Sequence, residues 1–152
     1  MGSEMILVVD DEPHIRRVLS FALQGHGFRV ITAADGREGF EMYRANPAIE
    51  FLITDYVMPG LDGLAMCRKL ELKGGERRVP VLLLTSYDFR TTFEQLIEAG
   101  VDYVLNKPFS PRKIVKLVQD ILDDRKGIMP QGEMAISISG LGSDLRSVAG
   151  DF

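Results

Sequence analysis

The chain has 152 residues, 45% hydrophobic and 26% charged, which suits one globular domain with a little chain to spare. Its formal net charge of −4 offers no basic stripe for phosphates, which argues against nucleic acid as a direct partner, and no apolar run approaches the ~20 residues that span a bilayer. Cys67 is the only cysteine, so no intrachain disulfide can form; with no signal-peptide pattern over Met1–Glu4, a reducing cytoplasm is the expected compartment.

Met5 to Val9 is an unbroken apolar run ending in Asp10-Asp11-Glu12, the pattern of a central strand covered on both faces. Pro13 stands at a first helical position, where its missing N–H costs nothing. Ile15, Val18, Leu19, Ala22 and Leu23 follow at helical spacing, and Gly25 and Gly27 stop the helix. Phe28 to Ala33 reads as a second strand. Asp35 with Glu38 resembles a capping box opening a helix through Phe40 and Tyr43, closed by Asn46-Pro47.

Phe51 to Ile53 is a third strand, leading into Thr54-Asp55 and the breakers Pro59, Gly60 and Gly63. A helix carrying Leu64, Cys67 and Leu70 then runs to Gly74-Gly75. Pro80 to Leu84 is the fourth strand, with Thr85-Ser86 at its carboxyl end. A helix with Phe93, Leu96 and Ile97 ends at Gly100, and Val101 to Leu105 is a fifth strand ending at Asn106-Lys107-Pro108. Ser110 caps a last helix with Pro111 at its first position and a buried stripe of Ile114, Leu117, Val118, Ile121 and Leu122.

Five strand–helix repeats predict an α/β architecture: a doubly wound parallel sheet with helices on both faces. Periodicity gives the layers and leaves the strand order open. Residues 4–126 are expected to form this domain. Residues 127–152, rich in Gly and Ser, are expected to be a tail or linker, leading towards a further output domain. The alternation of Met134, Ile136 and Ile138 with small residues would also suit one short strand on this sheet or on a partner's edge.

In a parallel sheet all carboxyl ends lie on one edge, so Asp10, Asp11, Asp55, Thr85 and Lys107 converge on one crevice. Three carboxylates together repel, and a hard divalent cation such as Mg²⁺ answers that repulsion with oxygen ligands. Lys107 and Thr85 stand opposite as a cation and a hydroxyl for an incoming anion, which together make a site for a phosphoryl group. Asp55 is then the candidate nucleophile, because carboxylates form acyl phosphates. Read singly, each residue has an ordinary explanation: an acidic helix cap, a β-branched strand end, a solvated lysine in a turn. Those explanations do not account for all of them standing at the same end of the strands.

Asp10-Asp11 after an apolar strand, Asp55 in Asp-Tyr-Val-Met-Pro-Gly-Leu-Asp-Gly, Thr85-Ser86, Tyr103 and Lys107-Pro108-Phe109 resemble the receiver domain of two-component response regulators over Glu4 to Lys126. The resemblance implies a flavodoxin-like five-stranded sheet of order 2-1-3-4-5. It implies that Asp55 accepts a phosphoryl group from a sensor histidine kinase or a histidine phosphotransfer protein. It implies Mg²⁺ held by Asp11, Asp55 and the backbone carbonyl of Val57, with Asp10 reaching it through water. Lys107 would pair with a phosphoryl oxygen, and the peptide before Pro108 would be cis. Thr85 and Tyr103 would act as the switch pair, and the surface of the fourth helix, fifth strand and fifth helix would be the readout, able to form a homodimer or bind a partner. Val57 and Tyr87, bulky and not acidic, would flank the water route and slow self-hydrolysis, while Ser86 is small enough for close approach of the anion. His14 and His26 read as surface residues. A Mg²⁺-dependent haloacid-dehalogenase-like phosphatase would want an acid where Val57 stands, and a flavin site would not tolerate Asp10-Asp11-Glu12. A receiver-shaped adaptor working without phosphorylation would have no use for the full acidic and cationic set.

Overall fold

Ile6, Leu7, Val8 and Val9 have no exposed surface. At about 1.5–3 kcal/mol for each such side chain, this first strand supplies a large share of the hydrophobic stabilisation. The computed structural model describes residues 4–72, 75, 77–86, 92–125 and 136–137. Its elements are β1 (Met5–Val9), α1 (Pro13–Gly25), β2 (Arg29–Ala33), α2 (Gly36–Ala45), β3 (Ile49–Asp55), α3 (Gly63–Lys69), β4 (Val81–Thr85), α4 (Phe93–Ala99), β5 (Tyr103–Asn106), α5 (Pro111–Arg125) and β6 (Ile136–Ser137).

The sheet order is β2-β1-β3-β4-β5-β6, with the first five strands parallel and β6 antiparallel to β5. The five-stranded order is the one the resemblance implies. β6 adds an edge strand, Ile136 opposite Val104 and Ser137 opposite Tyr103; the rest of the segment 127–152 lies outside the described residues. Alternate residues of each central strand feed two core layers. Leu7, Leu52, Leu83 and Val104 pack with α2, α3 and α4, while Ile6, Ile53, Leu82 and Leu84 pack with α1 and α5.

Several boundaries differ from the sequence reading. β3 is longer than Phe51–Ile53 because it includes Ile49 and exposed Glu50 at its start and buried Thr54 and Asp55 at its end. β4 and β5 each end one residue later than expected, at Thr85 and Asn106. α3 stops at Lys69, well before Gly74-Gly75, with Glu71 taking the left-handed conformation at φ 54. Half of the box at α2 forms: Asp35 Oδ1 accepts the Glu38 N–H at 2.8 Å, but Glu38 reaches back to the Ala34 N–H at 3.5 Å. The reciprocal box belongs instead to α4, between Thr92 and Gln95.

Arg77, in the connection before β4, closes the carboxyl end of α2. Its Nη1 donates to the Tyr43 carbonyl at 2.6 Å and its Nη2 to those of Asn46 and Ile49 at 2.7 and 3.3 Å, with the guanidinium 3.9 Å from the Tyr43 ring centre. A cation is favourable at that end of a helix and satisfies carbonyls the helix leaves open. Arg77→Ala is expected to cost about 2–4 kcal/mol in urea unfolding, from charge-assisted bonds and the ring contact together; an unchanged midpoint would refute this account.

Cys67, on the buried face of α3, is fully buried, and burial first, then the Asp102 and Asp62 charges, pushes its thiol up to about 12. It is expected to resist a thiol reagent at pH 8 until the fold is opened by denaturant; rapid labelling of the native protein would contradict this.

Candidate functional site

The order of the sheet reverses at β1, which has β2 on one side and β3 on the other. That reversal opens a crevice beyond the carboxyl ends of β1 and β3. Val9 lies opposite Thr54 in the ladder, so the next residues on each strand, Asp10 and Asp55, flank the crevice.

The surrounding loops hold these acids from behind. The Asp10 N–H donates to the Ala33 carbonyl at 3.1 Å, and Arg16 Nη1 donates to the Asp10 carbonyl at 2.7 Å. Asp10 Oδ1 accepts the Glu12 N–H at 2.9 Å, whereas Glu12, the N-cap residue of α1, makes no side-chain cap bond. The acidic pair is therefore not serving as the helix cap. On β3, the Thr54 hydroxyl donates to the Asp55 carbonyl at 3.0 Å and the Tyr56 N–H to the Leu84 carbonyl at 2.9 Å. Asp62 caps α3 by accepting the Ala65 N–H at 2.7 Å, and Gly63 follows because a Cβ there would collide with the Asp55 carbonyl oxygen. The Asp62-Gly63 pair thus docks α3 directly behind Asp55.

One carboxylate oxygen each from Asp10, Asp11 and Asp55 lies within 4.8 Å of the others. Lys107 Nζ stands 3.1 Å from Asp55 Oδ1 and 3.5 Å from Asp10 Oδ2. Burial first, and then the Asp10 charge, lifts the Asp55 carboxyl to about 6 even though Lys107 pulls the other way. Burial likewise raises Asp10, against the Glu12 N–H and Lys107. For Lys107 burial works against the charge, but Asp55 and Asp10 outweigh it and hold the ammonium above its ordinary value. The site is short of positive charge.

That shortage bears on the expected metal. Asp10 is fully buried, and its Oδ2, with Lys107 Nζ 3.5 Å away, accepts no hydrogen bond from the described residues. A buried carboxylate oxygen held by no more than that long ion pair, within an all-oxygen set, fits a hard cation such as Mg²⁺ or a water bound to it. The donor set therefore fits the ion that the resemblance implies.

The Lys107–Pro108 peptide is cis, and the Lys107 N–H donates to the Thr85 carbonyl at 2.7 Å. Thr85 is buried, with its hydroxyl donating to the Ser86 carbonyl at 3.1 Å. Ser86 itself is exposed. Tyr103 is half-buried on β5, and Val57, in the loop after β3, is 67% exposed. Tyr87 lies outside the described residues. His14 and His26 are both exposed. Two residues that touch this arrangement were not singled out from sequence. Arg16 carries a weak signal, a cation one turn into the helix that follows the acidic pair; Asn106 carries none beyond preceding Lys107.

Comparison with known proteins agrees on one family. Residues 6–119 match the model of the response regulator receiver domain. The chain is 34% identical over 132 residues to the alkaline phosphatase synthesis transcriptional regulatory protein PhoP of Bacillus subtilis, covering 87% of this chain and 54% of that one. It is 37% identical over 123 residues to the probable transcriptional regulator ycf27 of Porphyridium aerugineum, covering 80% and 49%. The chain thus spans about half the length of these curated relatives. Among solved structures, the chemotaxis protein CheY4 of Vibrio cholerae superposes with a TM-score of 0.69 at 30% identity, over 77% of this chain and 97% of that one. A response regulator receiver domain protein from Clostridium thermocellum gives 0.70 at 27% identity, over 82% and 98%.

Proposed function

The chain belongs to the response regulator receiver domain family, and on that premise we propose that residues 4–126 form a phospho-accepting switch in which Asp55 takes the phosphoryl group. The observation that carries this reading is the meeting of three carboxylates within 4.8 Å of one another with Lys107 3.1 Å from Asp55. The donor is a phosphohistidine on a sensor kinase or phosphotransfer protein. An Asp55 oxygen forms the new bond to phosphorus as the phosphorus–nitrogen bond breaks, and the imidazole leaves with that electron pair. At neutral pH a carboxyl titrating near 6 is mainly ionised and able to attack.

Asp10, Asp11, Asp55 and the Val57 carbonyl are the residues that would hold Mg²⁺. When bound, that ion offsets charge on the phosphoryl oxygens. Lys107, now paired with Asp55, exchanges that partner for a phosphoryl oxygen. The transfer adds nearly two negative charges to a buried site. The Thr85 hydroxyl then leaves the Ser86 carbonyl for the anion, and Tyr103 follows inward. The surface of α4, β5 and α5 carries the change to a partner or to a second copy. PhoP and ycf27 are named as transcriptional regulators, which supports a readout that ends in transcription. The buried single thiol accords with a cytoplasmic setting.

Two measurements test this reading. Calorimetry should find one Mg²⁺ site that Asp11→Asn weakens, and beryllofluoride should bind in its presence; failure of both would sink the proposal. Val57 and Tyr87 offer no acid to activate water, so the phosphorylated form is expected to persist for minutes or longer. A half-life of seconds at neutral pH would contradict that role for the two side chains.

A further inference from the structure

Asn106 is the last residue of β5, and the ladder sets it opposite Thr85. Two residues earlier the same register pairs Leu83 with Val104, and both belong to the core layer under α2, α3 and α4. Side chains alternate along a strand, so Thr85 and Asn106 project towards that same side, as neighbours at the carboxyl edge of the sheet. Asn106 Oδ1 is sealed from solvent and accepts no hydrogen bond among the described residues. Thr85, 3% exposed, gives its proton to the adjoining Ser86 carbonyl.

An amide acceptor shut away without a donor destabilises the resting fold, and a leucine of similar shape would not. Such a cost is found where a polar group has work in another arrangement of the same site. An asparagine amide presents two N–H donors on one side and an acceptor on the other, exchanged by rotation about its last torsion. With no donor on Oδ1, no hydrogen bond among the described residues holds that oxygen where it is.

We infer that Asn106 is a positioning residue for the Thr85 hydroxyl: its amide N–H donates to Thr85 Oγ1 when that hydroxyl turns to give its proton to an anion on Asp55. The inference rests on the reading of Asp55 as the phosphoryl acceptor. A hydroxyl has one proton and two lone pairs, so accepting from Asn106 leaves the proton for the anion and polarises it as a donor. The Ser86 carbonyl can only take that proton and cannot hold the turned hydroxyl in place.

The test is a double-mutant cycle between Asn106→Leu and Thr85→Val, read by beryllofluoride affinity with Mg²⁺ and by thermal unfolding without either. Asn106→Leu should weaken beryllofluoride binding about tenfold when Thr85 is present and leave it unchanged in the Thr85→Val background, because contacting residues couple. Its unfolding temperature should stay level or rise, since the orphaned acceptor is gone. An unchanged affinity, or an equal loss in both backgrounds, would overturn the inference while leaving the acceptor reading intact. Failure of the unsubstituted protein to bind beryllofluoride would overturn both.

Discussion

Asp55→Asn, in metal-free solution at pH 7, is expected to unfold at a higher temperature than the parent while losing all capacity to take a phosphoryl group. The stability gain follows from the raised carboxyl. Asp55 titrates near 6 in the folded chain against 3.8 for an unhindered aspartate, with burial as the main cause and Asp10 as the second. Between those values the folded state holds a proton that the unfolded state has released. The contribution of Asp55 is therefore best below pH 4, declines as pH rises through 6, and is at its worst above that. The interval corresponds to about 3 kcal/mol as an upper bound. Asparagine keeps the shape and removes the charge, and Lys107 retains Asp10 at 3.5 Å, so the substitution does not orphan the cation. Calorimetry in chelator should show the variant ahead at pH 7 and level with the parent near pH 4. A variant less stable at pH 7 would contradict the electrostatic account.

Lys107→Ala is expected to act in the opposite direction. The ammonium serves two carboxylates whose side chains are 0% and 9% exposed, and removing it leaves two buried like charges facing one another. Breaking a buried pair from one side costs about 3–5 kcal/mol, which exceeds what water can restore at a site this enclosed. The loss should shrink towards pH 4, where Asp10 and Asp55 take up protons, and Mg²⁺ should stabilise the variant more than it stabilises the parent. Phosphoryl uptake from a small donor should slow by about 10²–10³-fold, the effect of removing one charge-stabilising donor. An unchanged unfolding temperature at pH 7 in chelator would mean that the Lys107 contacts carry no stability.

Much of this was legible because acids follow apolar runs. Met5–Val9 ends in Asp10, and the full extent of β1 could be read from hydropathy alone. In the sequence Glu50 and Thr54-Asp55 look like the boundaries of β3, but the ladder pairs Ile49 ahead of a bulge at Glu50 and runs on through Thr54 and Asp55. The end of α3 could not be read because a glutamate, rather than a glycine, adopts the left-handed turn. The strand order came from family resemblance, since hydrophobic periodicity has no information about which strands are neighbours. The same reason hid Asn106: its significance depends on lying opposite Thr85, a relation between strands. For the site, spacing brought Asp10, Asp11, Asp55 and Lys107 to one edge. It did not give the Asp10 oxygen that accepts no hydrogen bond or the Arg16 bond to the Asp10 carbonyl, which depend on how the β1–α1 loop folds back.

The central claim, that Asp55 is the phosphoryl acceptor, is tested most directly by intact mass after incubation with acetyl phosphate. The unsubstituted protein should gain one phosphoryl group with Mg²⁺ and none in chelator, and Asp55→Asn should gain none in either. A phosphoryl group on the Asp55→Asn protein, or no gain by the unsubstituted protein even at the shortest sampling times, would contradict it.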